Sequence, residues 1–192
     1  MKTDIILAGV GGQGILSIAA TIGMASIANN LHIKQSEVHG MSQRGGAVQS
    51  HFRLSSNPIA SDLIPKGKVD IILSVEPMEA LRYIDYLKPE GWIITNSIPF
   101  VNIPNYPPIE SIIAKLSSMK NTIILDADEI AKELGSARSS NIVVLGAASS
   151  FIDLPYQSLE DALREIFLRK GEKVIEANIA ALRAGKAFAE KR

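Results

Sequence analysis

The chain has 192 residues, of which 46% are hydrophobic and 21% charged, the composition of a folded globular protein rather than a disordered one. Its 20 basic and 20 acidic side chains cancel, and only 5% of its residues are aromatic, which argues against a nucleic-acid or membrane-surface role. It has no cysteine, which excludes disulfides, a thiolate nucleophile and a cysteine-ligated iron–sulfur cluster held by this chain.

The apolar stretches of the chain do not resemble membrane or export segments. Residues 15–28 and 142–152 are interrupted by Ser, Thr or Gly and fall short of the about 20 residues that a membrane-spanning helix needs. Near the start of the chain, Asp4, Gln13 and four glycines interrupt the apolar core that a signal peptide would have. We therefore expect a cytoplasmic protein.

The first half of the chain alternates predicted strands with predicted helices. A short apolar run ends in glycines, and a helical pattern then follows. The predicted order is strand 5–8, helix 15–29, a short apolar piece at 32–33, half-buried strand 48–54, buried strand 69–75, helix 76–87 and buried strand 92–95. Four prolines between 99 and 108 exclude regular helix from the loop that comes next.

The second half of the chain is predicted to be mainly helical. The predicted order is helix 109–119, strand 122–125, helix 128–134 ended by Gly135, buried helix 141–151, helix 158–169 with a capping box at Ser158, and helix 172–191. This alternation specifies an α/β fold. We expect one domain over residues 1–192, with three α/β/α layers, a mostly parallel central sheet and a Gly-rich first strand–helix turn.

The first glycine-rich segment, Gly9-Val10-Gly11-Gly12-Gln13-Gly14, fits G-x-G-x-x-G between a strand and a helix. In that context backbone N–H groups and a helix N-terminus bind phosphate, and glycine lets the anion approach the backbone. The alternative is a tight turn that only lets helix and sheet pack. A dinucleotide site would also need an acid for the ribose about 20 residues on. Glu37 lies late and is predicted to enter a polar loop, which weakens that interpretation.

The second glycine-rich segment, Glu37-Val38-His39-Gly40-Met41-Ser42-Gln43-Arg44-Gly45-Gly46, combines charged and polar side chains with glycines. Arg44 offers a planar fork of donors for phosphate or carboxylate. The alternative is a solvated surface loop with Arg44 in an internal salt bridge. His39 and His51 could titrate near neutral pH, but no carboxylate or nucleophile stands at a spacing diagnostic of a catalytic base.

Polar residues follow three of the predicted strands. Glu76, Asn96 and Asp126 should share one edge of the sheet, where ligands of open α/β proteins collect. The alternative is that they only cap the elements that follow. No Ser/His/Asp order, zinc-type spacing or Walker lysine supports hydrolase, metalloenzyme or kinase chemistry.

In these segments the sequence resembles the γ-type component of the 2-oxoacid:ferredoxin oxidoreductases. The resemblance starts with Ile6–Gly14 and is most specific over Glu37–Gly46. It extends over nearly the whole chain, with further matches at Glu76-Pro77, Glu79–Arg82, Asn96, Asn141 and Leu145–Ala147.

The resemblance implies a subunit that holds no cofactor alone, with no catalytic residue or metal ligand assigned. A large partner subunit would carry thiamine diphosphate and iron–sulfur clusters. The complex would oxidatively decarboxylate a 2-oxoacid, reduce ferredoxin and form an acyl-coenzyme A. The resemblance is greatest to members that act on an aryl 2-oxoacid such as indolepyruvate. In the family, this domain can lie near the coenzyme A and thiamine sites. By their position in the motifs, the resemblance makes these residues the candidates for such contacts: Gly11, Gly12, Gln13, Gly14 and Arg44. The alternatives are a subunit specific for pyruvate or another 2-oxoacid, a stand-alone dinucleotide-binding protein and a purely structural interaction domain.

Overall fold

The computed structural model describes residues 1–40, 45–101 and 103–191. Within these ranges the strands are β1 Lys2–Val10, β2 His32–His39, β3 Ala47–Ser55, β4 Val69–Ser74, β5 Leu87–Asn96 and β6 Thr122–Leu125. The helices are α1 Ile15–Ala28, α2 Pro77–Arg82, α3 Ile109–Ser117, α4 Ala127–Glu133, α5 Ser140–Ala148, α6 Tyr156–Phe167 and α7 Glu172–Glu190.

The strands form one sheet in the order β2-β3-β1-β4-β5-β6. β1, β4, β5 and β6 pair in parallel, whereas β3 is antiparallel to both β1 and β2. Every strand except β3 therefore runs in the same direction. This confirms the predicted α/β fold with a mostly parallel sheet.

Alternating side chains of β1 separate two cores on the two faces of the sheet. Ile5 and Leu7 belong to the larger core, which α1 and α4 to α7 cover. Ile6 and Ala8 belong to the smaller core, with side chains of α2, α3 and the loop at 56–68. The predicted α/β/α layering is thus observed, with more helices on one face than on the other.

The interpretation of Glu37 as part of a polar loop was wrong. Glu37 lies in β2, which continues the short apolar piece at 32–33 as far as His39. β2 is at the edge of the sheet and, among the described residues, pairs only with β3, so its side chains are largely half-exposed or exposed. Such a strand needs few apolar residues, and hydrophobic pattern alone does not reveal it.

The predicted helix 76–87 is too long and the predicted strand 92–95 too short. α2 ends at Arg82, a 3₁₀ turn covers Ile84–Tyr86, and β5 begins at once at Leu87. Pro89 and Gly91, residue types that are rare inside strands, lie in an irregular stretch of β5 where the pairing with β4 shifts register. A bulge of this kind tolerates a proline, which cannot donate to the sheet.

The predicted capping box at Ser158 is also wrong. α6 begins at Tyr156 after Pro155, without a side-chain cap, so Ser158 lies inside its first turn. The Ser158 hydroxyl instead accepts a hydrogen bond from the side-chain amide of Asn29, at 2.8 Å. This bond joins the end of α1 to the start of α6.

α5 and α7 cross closely at two glycines. A Cβ atom at Gly146 would lie 2.1 Å from the carbonyl oxygen of Leu182, and one at Gly185 would lie 1.9 Å from that of Val143. Glycine at both positions therefore permits the crossing. α7 carries charged residues along its length, and within the described ranges no helix is long and apolar enough to cross a membrane.

Candidate functional site

The two glycine-rich segments lie side by side at the carboxyl end of β1. The Gly11 N–H donates to the Gly46 carbonyl at 2.8 Å, and the Gly45 N–H donates to the Gly11 carbonyl at 3.3 Å. The Gly40 N–H closes the base of the β2–β3 hairpin on the Ala47 carbonyl, at 2.8 Å. Antiparallel pairing of β3 with β1 thus brings together segments that are some distance apart in sequence. Arg44 lies outside the described residues.

The first glycine-rich segment is a tight turn in which two glycines have positive φ. The φ angle is 101° at Gly12 and 81° at Gly14, which is the N-cap of α1 and offers no side-chain cap. Gln13 stabilises the turn, because its Oε1 accepts the Val10 N–H at 2.8 Å. The turn therefore presents backbone at the start of a 14-residue helix.

A cavity of about 620 Å³ opens at this turn. Gly12, Gln13 and Gly14 form one wall, residues 135–141 a second, and α7 with the residues before it a third. α1 and α5 both begin at this cavity, and neither helix has a side-chain cap. Uncapped helix N-termini leave N–H donors and a partial positive charge for an anion.

Three cationic side chains line the same cavity: Arg138, Lys170 and Lys173. The described lining contains no acidic side chain to neutralise them. Asn141 connects two of the walls, because its side-chain amide donates to the Gly14 carbonyl at 3.0 Å. The cavity therefore combines cations with backbone donors, which is the donor set that phosphate groups bind.

Sequence reasoning found the glycine wall of this cavity but missed the cations. Arg138 lies in a short 3₁₀ turn, and Lys170 and Lys173 flank the start of α7, more than 150 residues after the glycine turn. Only the packing of α5 and α7 brings them to α1. The one local signal of this wall was the run of small and polar residues at 135–141, which is too polar to be a core segment.

A second, smaller cavity of about 330 Å³ lies at the carboxyl ends of the strands. Its lining includes Gln13, Asn96, Asp128, Asn141 and the ring of Phe100. The two cavities share Gln13, Ser140 and Asn141, so they are neighbours at the glycine turn and the start of α5. The predicted gathering of polar residues at this edge is therefore observed for Asn96, whose amide donates to Asp128 at 2.8 Å.

The capping interpretation fits Glu76 and Asp126. Glu76 is fully buried, and its carboxylate accepts the Glu79 N–H at 2.8 Å and so caps α2. Asp126 caps α4 through the Glu129 N–H in the same way. Glu76 also accepts the Tyr106 hydroxyl, and burial together with this carboxylate raises the Tyr106 pKa. Glu76 thus anchors the proline-rich loop to α2.

His51 has a structural role. It is buried, and its Nδ1 accepts the Ile64 N–H at 3.0 Å, which holds the loop at 56–68 on the sheet. Burial, assisted by Arg53, lowers the His51 pKa below its ordinary value. His39 is half-exposed at the end of β2 and pairs with Glu37.

The strand order disfavours a dinucleotide site of the usual kind. In the usual dinucleotide-binding fold, the acid that binds the ribose stands at the end of the parallel strand next to the first strand. Here the neighbour on that side is the antiparallel strand β3, and Glu37 lies one strand further out, in β2. Glu37 is also engaged, because its carboxylate accepts from Gln35 at 3.2 Å and pairs with His39.

Fold and site together define an α/β protein that presents a glycine turn and a basic cavity. The family model described as pyruvate ferredoxin/flavodoxin oxidoreductase matches residues 4–188, and the chain belongs to this family. It is 33% identical to indolepyruvate oxidoreductase subunit IorB of Archaeoglobus fulgidus, over 96% of this chain and 94% of that one. It is 36% identical to the subunit of the same name from Pyrococcus horikoshii, over 95% of this chain and 93% of that one.

Solved structures show the same fold. All of this chain superposes, with a TM-score of 0.80 and 25% identity, on 31% of a chain of 2-oxoglutarate:ferredoxin oxidoreductase from Magnetococcus marinus, which has 2-oxoglutarate, coenzyme A and succinyl-CoA bound. The γ subunit of a keto/oxoacid ferredoxin oxidoreductase from Geobacter sulfurreducens superposes with a TM-score of 0.74 and 22% identity, over 100% of this chain and 98% of that one. These findings confirm the resemblance to γ-type components.

Proposed function

We propose that this chain is the small subunit of an indolepyruvate:ferredoxin oxidoreductase. The observation that carries the proposal is its identity of 33% and 36% to two subunits named for that activity, across almost the full length of both chains. Relatives named for other 2-oxoacids are more distant, with 28% identity to a ketoisovalerate oxidoreductase subunit and 27% to a 2-oxoglutarate synthase subunit. A complex specific for another 2-oxoacid is the second candidate.

In this proposal the redox and thiamine chemistry belongs to a large partner subunit. The chain has no cysteine, so it offers no thiolate for an iron–sulfur cluster. Within the described residues no three His, Asp or Glu side chains come together as metal ligands. The chain then acts by completing the complex, with thiamine diphosphate and the clusters on the partner and ferredoxin as the electron acceptor.

We further propose that the basic cavity binds the phosphate groups of coenzyme A. The cations Arg138, Lys170 and Lys173 and the uncapped start of α1 match the charge of a diphosphate. The related Magnetococcus marinus enzyme has coenzyme A bound, which supports this ligand. Gly12 and Gly14 then serve by keeping the wall of the cavity free of bulky side chains, and Gln13 by stabilising the turn. Gly11 and Arg44 remain candidates by their position in the sequence.

The ligand of the cavity can be tested by titrating coenzyme A into the assembled complex. The double variant Arg138→Gln/Lys173→Gln should weaken binding at least tenfold, because each charge-assisted hydrogen bond is worth about 1.5–3 kcal/mol. Lys132→Gln, which removes an exposed cation that pairs with Glu129 outside the cavity, should leave the affinity unchanged. Pantetheine, which lacks the phosphates, should not distinguish the variants. Equal coenzyme A affinity in all variants would show that the phosphates bind elsewhere.

The choice of acid can be tested with a substrate panel. The complex should reduce ferredoxin with indolepyruvate at a higher kcat/KM than with pyruvate, ketoisovalerate or 2-oxoglutarate. Preference for one of the other acids would replace the indolepyruvate assignment with the second candidate and leave family membership intact.

A further inference from the structure

α1 is an outer helix with no charged residue. Its sequence from Ile15 to Ala28 contains only apolar residues, glycine, Ser and Thr. The other long outer helices carry charges on their outer sides, for example the exposed pair of Arg164 in α6 with Glu176 in α7 at 3.0 Å. A helix that is apolar on every side is normally covered on every side. The outer side of α1 therefore lacks the polar residues that solvent exposure favours.

Three of the exposed apolar residues of α1, Leu16, Ala20 and Ile27, form one line. With 100° of rotation per residue, Leu16, Ala20 and Ile27 fall within about 40° of one another around the helix axis. Leu16 is 59% exposed and Ile27 62% exposed, and Ala20 is exposed between them. We call these three residues the α1 stripe.

The α1 stripe adjoins two other open features of the molecule. Gly23, between Ala20 and Ile27 on the same side of the helix, is buried and packs near Ile33 of β2, the strand at the edge of the sheet. At the other end, Ser17 lines the basic cavity, directly after Leu16. A partner on the stripe would therefore lie against the edge strand and beside the mouth of the cavity.

The size of the stripe favours a partner larger than a second α1. A helix of 14 residues is about 21 Å long and about 10 Å wide, so contact through α1 alone covers only about 200 Å². A stable interface buries about 800 Å² per partner, so the partner must extend beyond the helix. In some relatives this fold is part of a longer chain. The matched region is only 36% of a ketoisovalerate oxidoreductase subunit and 31% of the Magnetococcus marinus chain. In those proteins about two-thirds of the chain lies outside this domain.

We propose that the α1 stripe is a docking surface for the large subunit of the complex. The inference rests on the proposed function, because it takes that subunit as the partner. Docking there would cover Leu16 and Ile27 and place the partner beside the cavity assigned to coenzyme A. The absence of charge along the stripe means that the matching surface of the partner is apolar.

The test measures binding of the purified large subunit to this chain and to the variants Leu16→Lys, Ile27→Lys and their double. A buried lysine without a partner is costly, so the double variant should bind at least tenfold more weakly. Leu63→Lys is the matched control, because Leu63 is 55% exposed in the loop that covers the smaller core. It should bind like the wild type. The melting temperature of each isolated variant, and the milder double variant Leu16→Ser/Ile27→Ser, separate lost docking from lost folding.

The outcomes distinguish this inference from the proposed function. If the wild-type chain does not bind the large subunit, the proposed function is wrong. If the wild type binds and the folded stripe variants bind equally well, the function stands and the docking surface lies elsewhere. If sedimentation shows that the wild type self-associates, and the stripe variants lose only that association, the stripe joins two copies of this chain and our inference is overturned.

Discussion

At the scale of single residues, Gly12 and Gly14 have positive φ in different surroundings. A Cβ atom at Gly12 would meet no atom within 4 Å, whereas one at Gly14 would lie 2.5 Å from the side-chain nitrogen of Asn141. For the fold of the turn, glycine is therefore needed at position 12 only because of the positive φ angle. Gly14 is required also by the contact that joins the turn to α5.

This difference predicts the order of two substitutions. Gly12→Ala should lower the free energy of unfolding by about 1–2 kcal/mol through backbone strain alone. Gly14→Ala should lower it by about 1 kcal/mol more, because Asn141 must move and its hydrogen bond to the Gly14 carbonyl is lost. Urea denaturation of the isolated chain measures both. Equal midpoints for the two variants would show that the Asn141 contact adds nothing.

His51 makes the stability of the fold decrease as the pH falls. Its pKa is lowered in the folded chain from the ordinary value of 6.5, so the unfolded chain binds the proton more readily. The contribution of His51 is fully present above pH 6.5 and is lost as the pH falls toward the folded pKa. Protonation would also remove Nδ1 as the acceptor of the Ile64 N–H.

His51→Asn should therefore flatten the fall in melting temperature between pH 7 and pH 5. Asparagine can still accept the Ile64 N–H but does not titrate. The control is His32→Asn, at an exposed position on the edge strand, which should keep the slope of the wild type. An unchanged slope in His51→Asn would assign the pH dependence to other groups.

At the scale of elements, glycine at the crossing of α5 and α7 lowers helix propensity but allows the two helices to pack closely. Alanine normally favours a helix over glycine by about 1 kcal/mol. In α7, Gly185→Ala would push a methyl group into the Val143 carbonyl at 1.9 Å, so it should destabilise the fold by about 1–3 kcal/mol or more. In α1, Gly23→Ala has its nearest neighbour at 3.7 Å and should stabilise the fold by up to about 1 kcal/mol. Opposite signs in thermal denaturation are expected. Stabilisation by both would mean that the two helices can move apart freely.

The elements that pattern predicted well are those buried on one or both faces. β3, β4, β6, α1, α3 and α7 match their predicted spans to within about two residues, because burial imposes a clear period. β2 was not recognised because an edge strand is half-exposed, and β5 was cut short because a bulge admits Pro89 and Gly91. The false capping box at Ser158 shows that a local motif can be overruled by a tertiary contact, here with Asn29.

The candidate site was predictable only in its local part. The glycine turn is continuous in sequence and could be found from residue types and spacing alone. Arg138, Lys170 and Lys173 reach the same cavity only because α5 and α7 cross closely, and no periodicity in the sequence encodes that placement. A site assembled from the two ends of a chain needs the fold before its residues can be recognised.

At the scale of the whole molecule, we infer that this chain is one part of a catalyst shared between two polypeptides. Its sequence has no cysteine to hold an iron–sulfur cluster, its relatives are named as subunits, and its fold recurs within a much longer chain of an enzyme whose structure has coenzyme A bound. Activity should then depend on contact between two polypeptides. The α1 stripe and the basic cavity are the two surfaces through which we expect that dependence to act.

Reconstitution from separately purified subunits tests whether this chain is an obligatory part of the enzyme. The large subunit and this chain are purified separately, and the reduction of ferredoxin is measured with saturating indolepyruvate and coenzyme A for each alone and for the mixture. Neither component alone should turn over, and activity should rise with added chain until the two subunits reach a fixed ratio. Turnover by the large subunit that is the same with and without this chain would contradict the account.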